Sequence, residues 1–325
     1  MMIGLLIAIA AGCASALMFA SISSGALIAL LLFYLAPLPL MLAAIGWGPA
    51  GAAVGGLLAG VTLGVIFSLP YLVAFLLTVA LPAWWLGHLV LLGRPLPVQS
   101  ASGPNGVPAT TPSIEWYPVG RILLWIVGFA TLTTTAALLT LGTDSASITA
   151  ALRHGLGRIM QLPASSTSGA ESSQLVDALA SLAPAAAAII SMMTLTLNAW
   201  LAAYVTSASG RLRRPWPALR EVSLPPMTLV ALSIALALCF TGGLLALIAQ
   251  IASAALLLAY AFTGFAVLHT VTLAMKSRSI LLSLTYAIVL VFGWPAVAMV
   301  GLGIADAFFN IRQRHLQKGG PPPPP

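Results

Sequence analysis

The 325-residue chain carries 13 Lys and Arg against 6 Asp and Glu, and 60% of its positions are hydrophobic. Soluble globular proteins are about 25% charged, so a chain that is only 6% charged cannot cover a surface that faces water. The composition therefore excludes a soluble protein. Because the apolar runs are continuous rather than alternating, it predicts an all-α polytopic membrane protein.

The first four spans are predicted before the first charged residue, which is Arg94. One bilayer crossing takes ~20 apolar residues, and serine, glycine and proline breaks divide residues 1–92 into four such segments. The first span ends near Ala20. The second contains Pro37 and Pro39 and ends near Trp47, and the third and fourth cover residues 49–68 and 71–92.

The rest of the chain alternates apolar spans with polar connections. A loop at 93–118 is followed by a span at 119–141, an external segment at 142–178 and a span at 179–206. A basic loop at 207–225 precedes two spans within 226–275. Residues 279–311 then form two short helices split at Gly293-Trp294-Pro295, and residues 312–325 are a tail of low complexity at its end. We expect residues 1–311 to form one membrane domain.

The basic residues predict the orientation of these spans. Lys and Arg collect on the cytoplasmic side of membrane proteins, so we interpret the net charge of +7 as a topology signal rather than as a sign of nucleic-acid binding. With both termini in the cytoplasm, only Arg153 and Arg158 lie outside. This arrangement predicts ten spans, or eight if short terminal elements do not cross, in the bacterial cytoplasmic (inner) membrane.

The external segment contains an amphipathic helix at about 145–162. Apolar residues recur every four positions from Ile148 to Leu156, and Arg153, His154 and Arg158 lie off this stripe. One interpretation is a helix in the plane of the lipid interface. The other is a lid whose basic side chains meet an anionic solute.

Small residues predict close packing of the third span. Gly56, Gly60 and Gly64 are four residues apart, and Gly51 and Gly55 lie beside them. In lipid, small residues at this spacing allow helix backbones to approach.

Two polar residues inside predicted spans are candidate ligands for a solute. Asn198 lies in the sixth span and His269 in the eighth. Burying such groups without a partner costs several kcal/mol, so each either bonds to a neighbouring helix or contacts a solute.

Asp306 is the carboxylate of the last apolar stretch. Intramembrane aspartyl proteases place Asp directly after Gly-x-Gly, whereas Ile304 and Ala305 intervene here, and a second membrane aspartate is missing. We therefore expect Asp306 to form an ion pair with a basic residue such as Arg312 or Arg278.

Motifs of known catalytic chemistry are absent from the sequence. It has no His-Glu-x-x-His, no Gly-x-Ser-x-Gly and no Walker loop, and its four histidines and two cysteines have no metal-binding spacing. We expect no enzyme activity, no cofactor and no metal site.

Three segments resemble the YybS-like bacterial membrane proteins, a family classified as a domain of unknown function. They are the basic stretch 211–220 with the Leu224-Pro225-Pro226 that follows it, the stretch 264–269, and the stretch 301–312. The family is grouped with the substrate-binding (S) components of energy-coupling-factor transporters. The resemblance implies a helical bundle that captures a solute and is energised by a transmembrane coupling protein and ATPase subunits. It also implies that small residues of the first helix, Ala10 with Ala14 or Ala16 with Ala20, dock the coupling protein.

Two functions follow from these observations. The first is a transport-related, solute-binding protein whose candidate ligands are Arg153, His154, Arg158, Asn198 and His269. The second is a non-catalytic membrane scaffold or biogenesis factor. Its basic cytoplasmic loop would contact anionic lipid of the bilayer or an acidic partner.

Overall fold

The computed structural model describes residues 2–95, 114–160, 169–219, 222–273 and 275–318, which are almost entirely helical. In chain order its helices and strands are α1 (Met2–Ala20), α2 (Leu27–Leu35), α3 (Pro37–Trp47), α4 (Pro49–Ile66), α5 (Leu69–Phe75), a π-helical segment (Leu76–Ala80), α6 (Leu81–Leu91), β1 (Gly93–Pro95), β2 (Ile114–Trp116), α7 (Val119–Leu139), α8 (Ser145–Ile159), α9 (Gly169–Ala208), α10 (Met227–Leu238), α11 (Gly243–Val271), α12 (Arg278–Phe292), α13 (Ala296–Phe309) and α14 (Ile311–Lys318). A 3₁₀ turn, Ser21–Ser24, follows α1.

Within the described residues, seven helical segments are long and apolar enough to cross a membrane. They are Ile3–Ser24, Leu27–Trp47, Pro49–Ile66, Leu69–Leu91, Val119–Leu139, Ser173–Ala208 and Gly243–Val271. Helices α10, α12 and α13 are apolar but shorter. The predicted all-α polytopic architecture is confirmed, and the break predicted at Gly293-Trp294-Pro295 separates α12 from α13.

Proline and glycine break the second span and separate it from the third. Pro37 begins α3 and cannot donate a backbone hydrogen bond to the end of α2. A single residue, Gly48, joins α3 to α4 with a φ of 111°, a conformation that side-chain-bearing residues rarely adopt. The glycine therefore permits an unusually short connection between the two spans.

The chain folds into two compact units, where the sequence predicts one membrane domain. Unit 1 comprises residues 1–122 and 194–217, and unit 2 comprises residues 123–193 and 218–325. The boundaries fall inside α7 and α9, so each of these helices contributes residues to both units.

In unit 1, α1 and α4 are in backbone contact. A Cβ atom added to Gly12 would overlap the carbonyl oxygen of Gly55, and one added to Gly55 would overlap that of Ala8. Ala8 is only 1% exposed. Glycine is thus required on both sides of this interface, as in other helix pairs that pack through small residues in lipid.

The other face of α4 packs against the fourth span. A Cβ atom on Gly56 would lie 2.9 Å from Ala80, and equally close contacts join Gly60 to Leu76 and Gly64 to Leu72. The five glycines of the predicted packing motif therefore serve two interfaces: Gly51 and Gly55 face α1, and the other three face residues 72–80.

In unit 2, α11 and α13 approach each other in the same way. A Cβ atom on Gly264 would overlap the carbonyl of Met299, and one on Gly303 would overlap that of Tyr260. This packing holds the short helix α13 against the long, largely buried helix α11.

The segment at 142–178 is more helical than its polarity predicts. Helix α9 begins at Gly169 and covers the last ten residues of this predicted loop. Val176 and Ala180, one turn apart, are buried, and this packing favours helix despite the polar neighbours. A helix of 40 residues spans ~60 Å, so α9 extends beyond a hydrocarbon core of ~30 Å.

Helix α8 lies where the sequence predicts an amphipathic helix, but half of its apolar stripe faces protein. Ile148 has no exposed surface and packs in a cluster with Leu138, Ala188, Leu247 and Ile251. At the other end of the helix, Ile159 is 78% exposed. The N-terminal half of α8 is therefore anchored in unit 2 rather than resting on lipid.

Two predicted polar segments are partly structured. Strands β1 and β2 pair antiparallel at the base of the loop predicted at 93–118, and residues 96–113 lie outside the described residues. The predicted tail at 312–325 continues as helix α14 to Lys318, and its low-complexity end, residues 319–325, also lies outside them.

Candidate functional site

The basic residues of α8 are positioned by a capped helix start. The Asp144 carboxylate accepts hydrogen bonds from the backbone N–H groups of Ala146 at 3.0 Å and Ser147 at 2.9 Å, and from the Ser147 hydroxyl at 2.9 Å. The bonds from Ser147, the largest influence, lower the pKa of Asp144 below its ordinary value. This reciprocal cap fixes where α8 begins.

Arg153 makes an ion pair with Asp177 within the segment at 142–178. Its Nε lies 2.8 Å from Asp177 Oδ1 on α9, and both side chains are about half exposed. His154 and Arg158 are exposed, and within the described residues neither has a hydrogen-bond or ion-pair partner. The pair with Asp177 gives Arg153 a structural role.

Asn198 donates a hydrogen bond to the chain at the break between α2 and α3. Its Nδ2 donates to the carbonyl oxygens of Tyr34 and Thr194, both at 2.8 Å, and its side chain is fully buried. Tyr34 lies in the last turn of α2, where carbonyl groups lack a partner within the helix. Buried in lipid or protein, such a carbonyl requires a donor from elsewhere, and Asn198 supplies it.

His269 lies near the end of α11 and contacts α12. Its Nε2 is 2.9 Å from the hydroxyl of Tyr286, whose ring stacks on Phe265 at 4.9 Å. These contacts join α12, which has no buried residue, to α11. The contact is of the kind expected for a polar group that pairs with a neighbouring helix.

Of the five predicted solute ligands, the four that belong to unit 2 do not lie together. Arg153, His154 and Arg158 belong to α8, which packs near Ile251 of α11, whereas His269 is 18 residues further along the same helix, or ~27 Å. Asn198 belongs to unit 1, where its amide bonds to backbone. The prediction grouped residues by polarity, but sequence does not show which side chains a fold brings together.

Asp306 and Arg312 form a buried ion pair in unit 2. Arg312 Nε donates to Asp306 Oδ2 at 2.7 Å, and the Arg312 backbone N–H donates to Asp306 Oδ1 at 3.0 Å. The same guanidinium donates to the carbonyl of Val222 at 2.6 Å. The pair thus connects the end of α13 with the chain that precedes α10.

The basic loop after α9 is folded back onto unit 1. Gly210 has a φ of 66°, and the N–H of Arg211 bonds to the carbonyl of Thr206, which together form a Schellman turn. The turn places the Arg211 guanidinium over the ring of Trp47, 4.4 Å from its centroid. Further along the loop, Arg214 Nη1 donates to the carbonyl of Tyr117 at 2.9 Å.

Aromatic side chains continue this region along α9. The ring of Tyr204 stacks on Trp200 at 5.6 Å and meets the edge of Trp216 at 6.3 Å. We name the six residues of this region the basic–aromatic surface: Trp47, Trp200, Tyr204, Arg211, Arg213 and Trp216. Its four aromatic side chains are between 39% and 55% exposed.

The charge of the basic–aromatic surface is not balanced within unit 1. The unit contains five arginines and one acidic residue, Glu115, which pairs with Arg94 at 2.9 Å. Within the described residues Arg213 is exposed and makes no hydrogen bond or ion pair. The surface therefore offers cationic groups for an anionic ligand.

Sequence reasoning identified the basic loop but not its aromatic partners. Trp47 stood out only because it precedes a glycine and a proline, and Trp200 and Trp216 carried no spacing pattern. The one usable signal was their position: aromatic residues near span ends and beside arginines are typical of a membrane interface.

The small residues of the first helix lie on more than one face. Ala8, Gly12, Ser15 and Phe19 are the buried residues of α1, whereas Ala10 is exposed. Ala14, Ala16 and Ala20 are half-buried. The buried small residues of α1 serve contact with α4 within unit 1.

The described residues hold no group of three His, Cys, Asp or Glu side chains that could bind a metal ion. Comparison of the chain with protein-family models, with curated proteins and with solved structures found no match in any of the three.

Proposed function

We propose that this multi-pass helical membrane protein is a non-catalytic scaffold that holds an acidic group at the membrane surface through its basic–aromatic surface. The observation that carries this proposal is that the loop is fixed by specific contacts. A loop that only orients spans needs positive charge and no contact. Here Arg211 stacks on Trp47 and Arg214 bonds to Tyr117.

Contacts within unit 1 support a common side for this surface. Arg211 meets the end of α3, and Arg214 meets the residue that precedes α7 by two positions. The predicted orientation requires the ends of α3 and α9 and the start of α7 to lie on the same side. We propose that this side is the cytoplasm and that the membrane is the bacterial inner membrane.

The proposed function is tested by crosslinking in intact membranes. A photo-crosslinking residue at Leu212 captures what lies against the surface, with and without Arg213→Gln. The scaffold requires a captured species that is reduced in Arg213→Gln and kept in the control Arg158→Gln, which removes another exposed charge, from α8. Labelling of a cysteine at Ser279 reports orientation; if Arg213→Gln inverts the labelling, the arginine acts only as a topology signal.

A solute-binding role is the second candidate, and buried polar atoms in unit 1 favour it. Ser15 Oγ and Asn198 Oδ1 are buried and have no hydrogen-bond partner within the described residues. Such atoms require a partner, and a polar solute is one source of it. This role would agree with the resemblance to the YybS-like proteins and S components, which remains a prediction.

Thermal unfolding of the purified chain across a panel of vitamins and metabolites tests the second candidate. A solute at 100 times its dissociation constant stabilises a protein by ~2.7 kcal/mol. Stabilisation that disappears in Asn198→Leu would favour transport, together with co-purified coupling and ATPase subunits. If no solute in the panel stabilises the protein, the solute-binding role is rejected and the scaffold role is kept.

A further inference from the structure

We propose that the basic–aromatic surface binds the phosphate-bearing headgroup of an anionic phospholipid. This inference rests on the proposed function, because it names the acidic group that the surface holds. Three features support it: the charge of unit 1, the position of the surface at the ends of its helices, and the geometry of its arginines.

The charge of unit 1 favours an anionic partner from outside the unit. Its five arginines face one glutamate, and that glutamate is already paired with Arg94. The Arg211 guanidinium lies over the Trp47 ring, 4.4 Å from its centroid, and Arg213 is exposed. An anion is therefore the complement of this surface.

The position of the basic–aromatic surface relative to the membrane favours a lipid over a cytosolic protein as its ligand. Trp47 is the last residue of α3, and Arg211 is the third residue after the end of α9. Because the Schellman turn bonds the N–H of Arg211 to Thr206, the chain stays within one turn of the helix end. The ends of transmembrane helices lie at the level of the lipid headgroups, so the arginines do not project far into the cytosol.

The aromatic residues point to the same level. Trp and Tyr are enriched at the membrane interface, where an apolar ring meets acyl chains and a polar edge meets water. Trp200, Tyr204 and Trp216 form a continuous row that is about half exposed, as side chains that straddle this boundary are. An acidic protein segment would need no such row at the end of α9.

The geometry of Arg211 suits a phosphate. A guanidinium that lies over an aromatic ring can still donate the N–H groups at its edge to oxygen atoms, and its planar fork matches the geometry of a phosphate. Arg213, two residues later, adds a second cation close in the chain. Two neighbouring guanidinium groups can together bind one phosphodiester.

The test measures lipid binding by the purified full-length protein. Native mass spectrometry of the protein titrated with phosphatidylglycerol or phosphatidylcholine gives an affinity for each lipid. We expect phosphatidylglycerol to bind more tightly. The double change Arg211→Gln and Arg213→Gln should weaken that affinity about 30-fold, with little effect on phosphatidylcholine, since each arginine contributes about fivefold.

Two further variants separate binding from folding. Arg213→Gln alone removes a side chain that makes no hydrogen bond or ion pair within the described residues, so it should fold normally and weaken phosphatidylglycerol about fivefold. Arg158→Gln removes a charge from α8 and should leave both affinities unchanged. Equal affinity for the two lipids, or full phosphatidylglycerol binding by the double variant, would overturn the proposal.

The lipid-binding assay tests the further inference and the crosslinking assay tests the proposed function, so either one can be overturned without the other. If Arg213→Gln loses a crosslinked acidic protein while phosphatidylglycerol binding is unchanged, the scaffold stands and the lipid proposal is overturned. If the lipid affinities shift as expected but the only crosslinked species is phospholipid, the inference holds and no partner protein is recruited.

Discussion

Replacing Asp306 by alanine breaks the one buried ion pair found in the described part of the chain. The Asp306 and Arg312 side chains are 8% and 12% exposed and lie 2.7 Å apart. The change removes the acceptor of two hydrogen bonds, from the Arg312 side chain and from its backbone N–H. The largely buried guanidinium keeps its bond to the Val222 carbonyl but loses the carboxylate that lies 2.7 Å from it.

The expected loss of unfolding free energy is large. Removing one partner of a buried pair typically costs ~3–5 kcal/mol, because the remaining charge stays buried without compensation. Domains are stable by ~5–15 kcal/mol in total, so the change should consume a substantial fraction of that stability. The replacement Asp306→Asn keeps an acceptor oxygen for the Arg312 N–H and should cost less.

The chain supplies a matched control in Arg94 and Glu115. Their contact of 2.9 Å is similar, but their side chains are 77% and 57% exposed. Solvent screens such a pair, so Glu115→Ala should cost less than about 1 kcal/mol. Denaturant unfolding in mixed micelles, followed by tryptophan fluorescence and circular dichroism, measures both variants under the same conditions.

A double-mutant cycle isolates the pair itself. If Asp306→Ala costs no more than Glu115→Ala, burial does not govern the strength of these pairs and the reasoning is wrong. The reasoning is also wrong if the losses of unfolding free energy in Asp306→Ala and Arg312→Gln add up in the double variant. Residues in one hydrogen-bonded network should couple, so the double variant should lose less than the sum.

Three further predictions concern local packing and capping. Gly303→Ala should destabilise the protein by ~1–3 kcal/mol or more in micelle unfolding, because its Cβ would overlap the Tyr260 carbonyl, whereas Gly301→Ala on the same helix meets nothing within 4 Å and should be neutral. Asn198→Leu should cost ~1–2 kcal/mol by the same measurement, since a buried carbonyl loses its donor; no loss would mean that the carbonyl finds another. Asp144 has a lowered pKa in the folded state, so its contribution is present above the ordinary carboxyl pKa and is lost as the pH falls through the lowered value. Amide exchange in α8 should then accelerate at low pH, and Asp144→Ala should remove that pH dependence.

The membrane architecture was predictable because the bilayer imposes a length on apolar segments. The four spans before Arg94 and the break at Gly293-Trp294-Pro295 follow from run length and from proline and glycine, both of which act locally. The start of α9 was missed for the opposite reason. Its first turns are polar, and the burial of Val176 and Ala180 that favours their helical state is a property of the fold.

The candidate site was predictable only in part. A run of arginines identifies the loop at 211–220, but its conformation depends on Trp47, more than 160 residues earlier, and on Tyr117. The grouping of Arg153, Asn198 and His269 was an inference from polarity alone. Hydrogen bonds to Asp177, Tyr34 and Tyr286 give each residue a separate role in joining helices.

The most direct test of the proposed function is capture of the species that contacts Leu212 in native membranes, compared between the unmodified chain and Arg213→Gln. The account predicts an anionic species, a phospholipid or an acidic protein, that crosslinks to the unmodified chain and is captured less by the variant while insertion and orientation are unchanged. Equal capture by both chains, or capture of nothing but zwitterionic lipid, would contradict the claim that the basic–aromatic surface is the working surface of this protein.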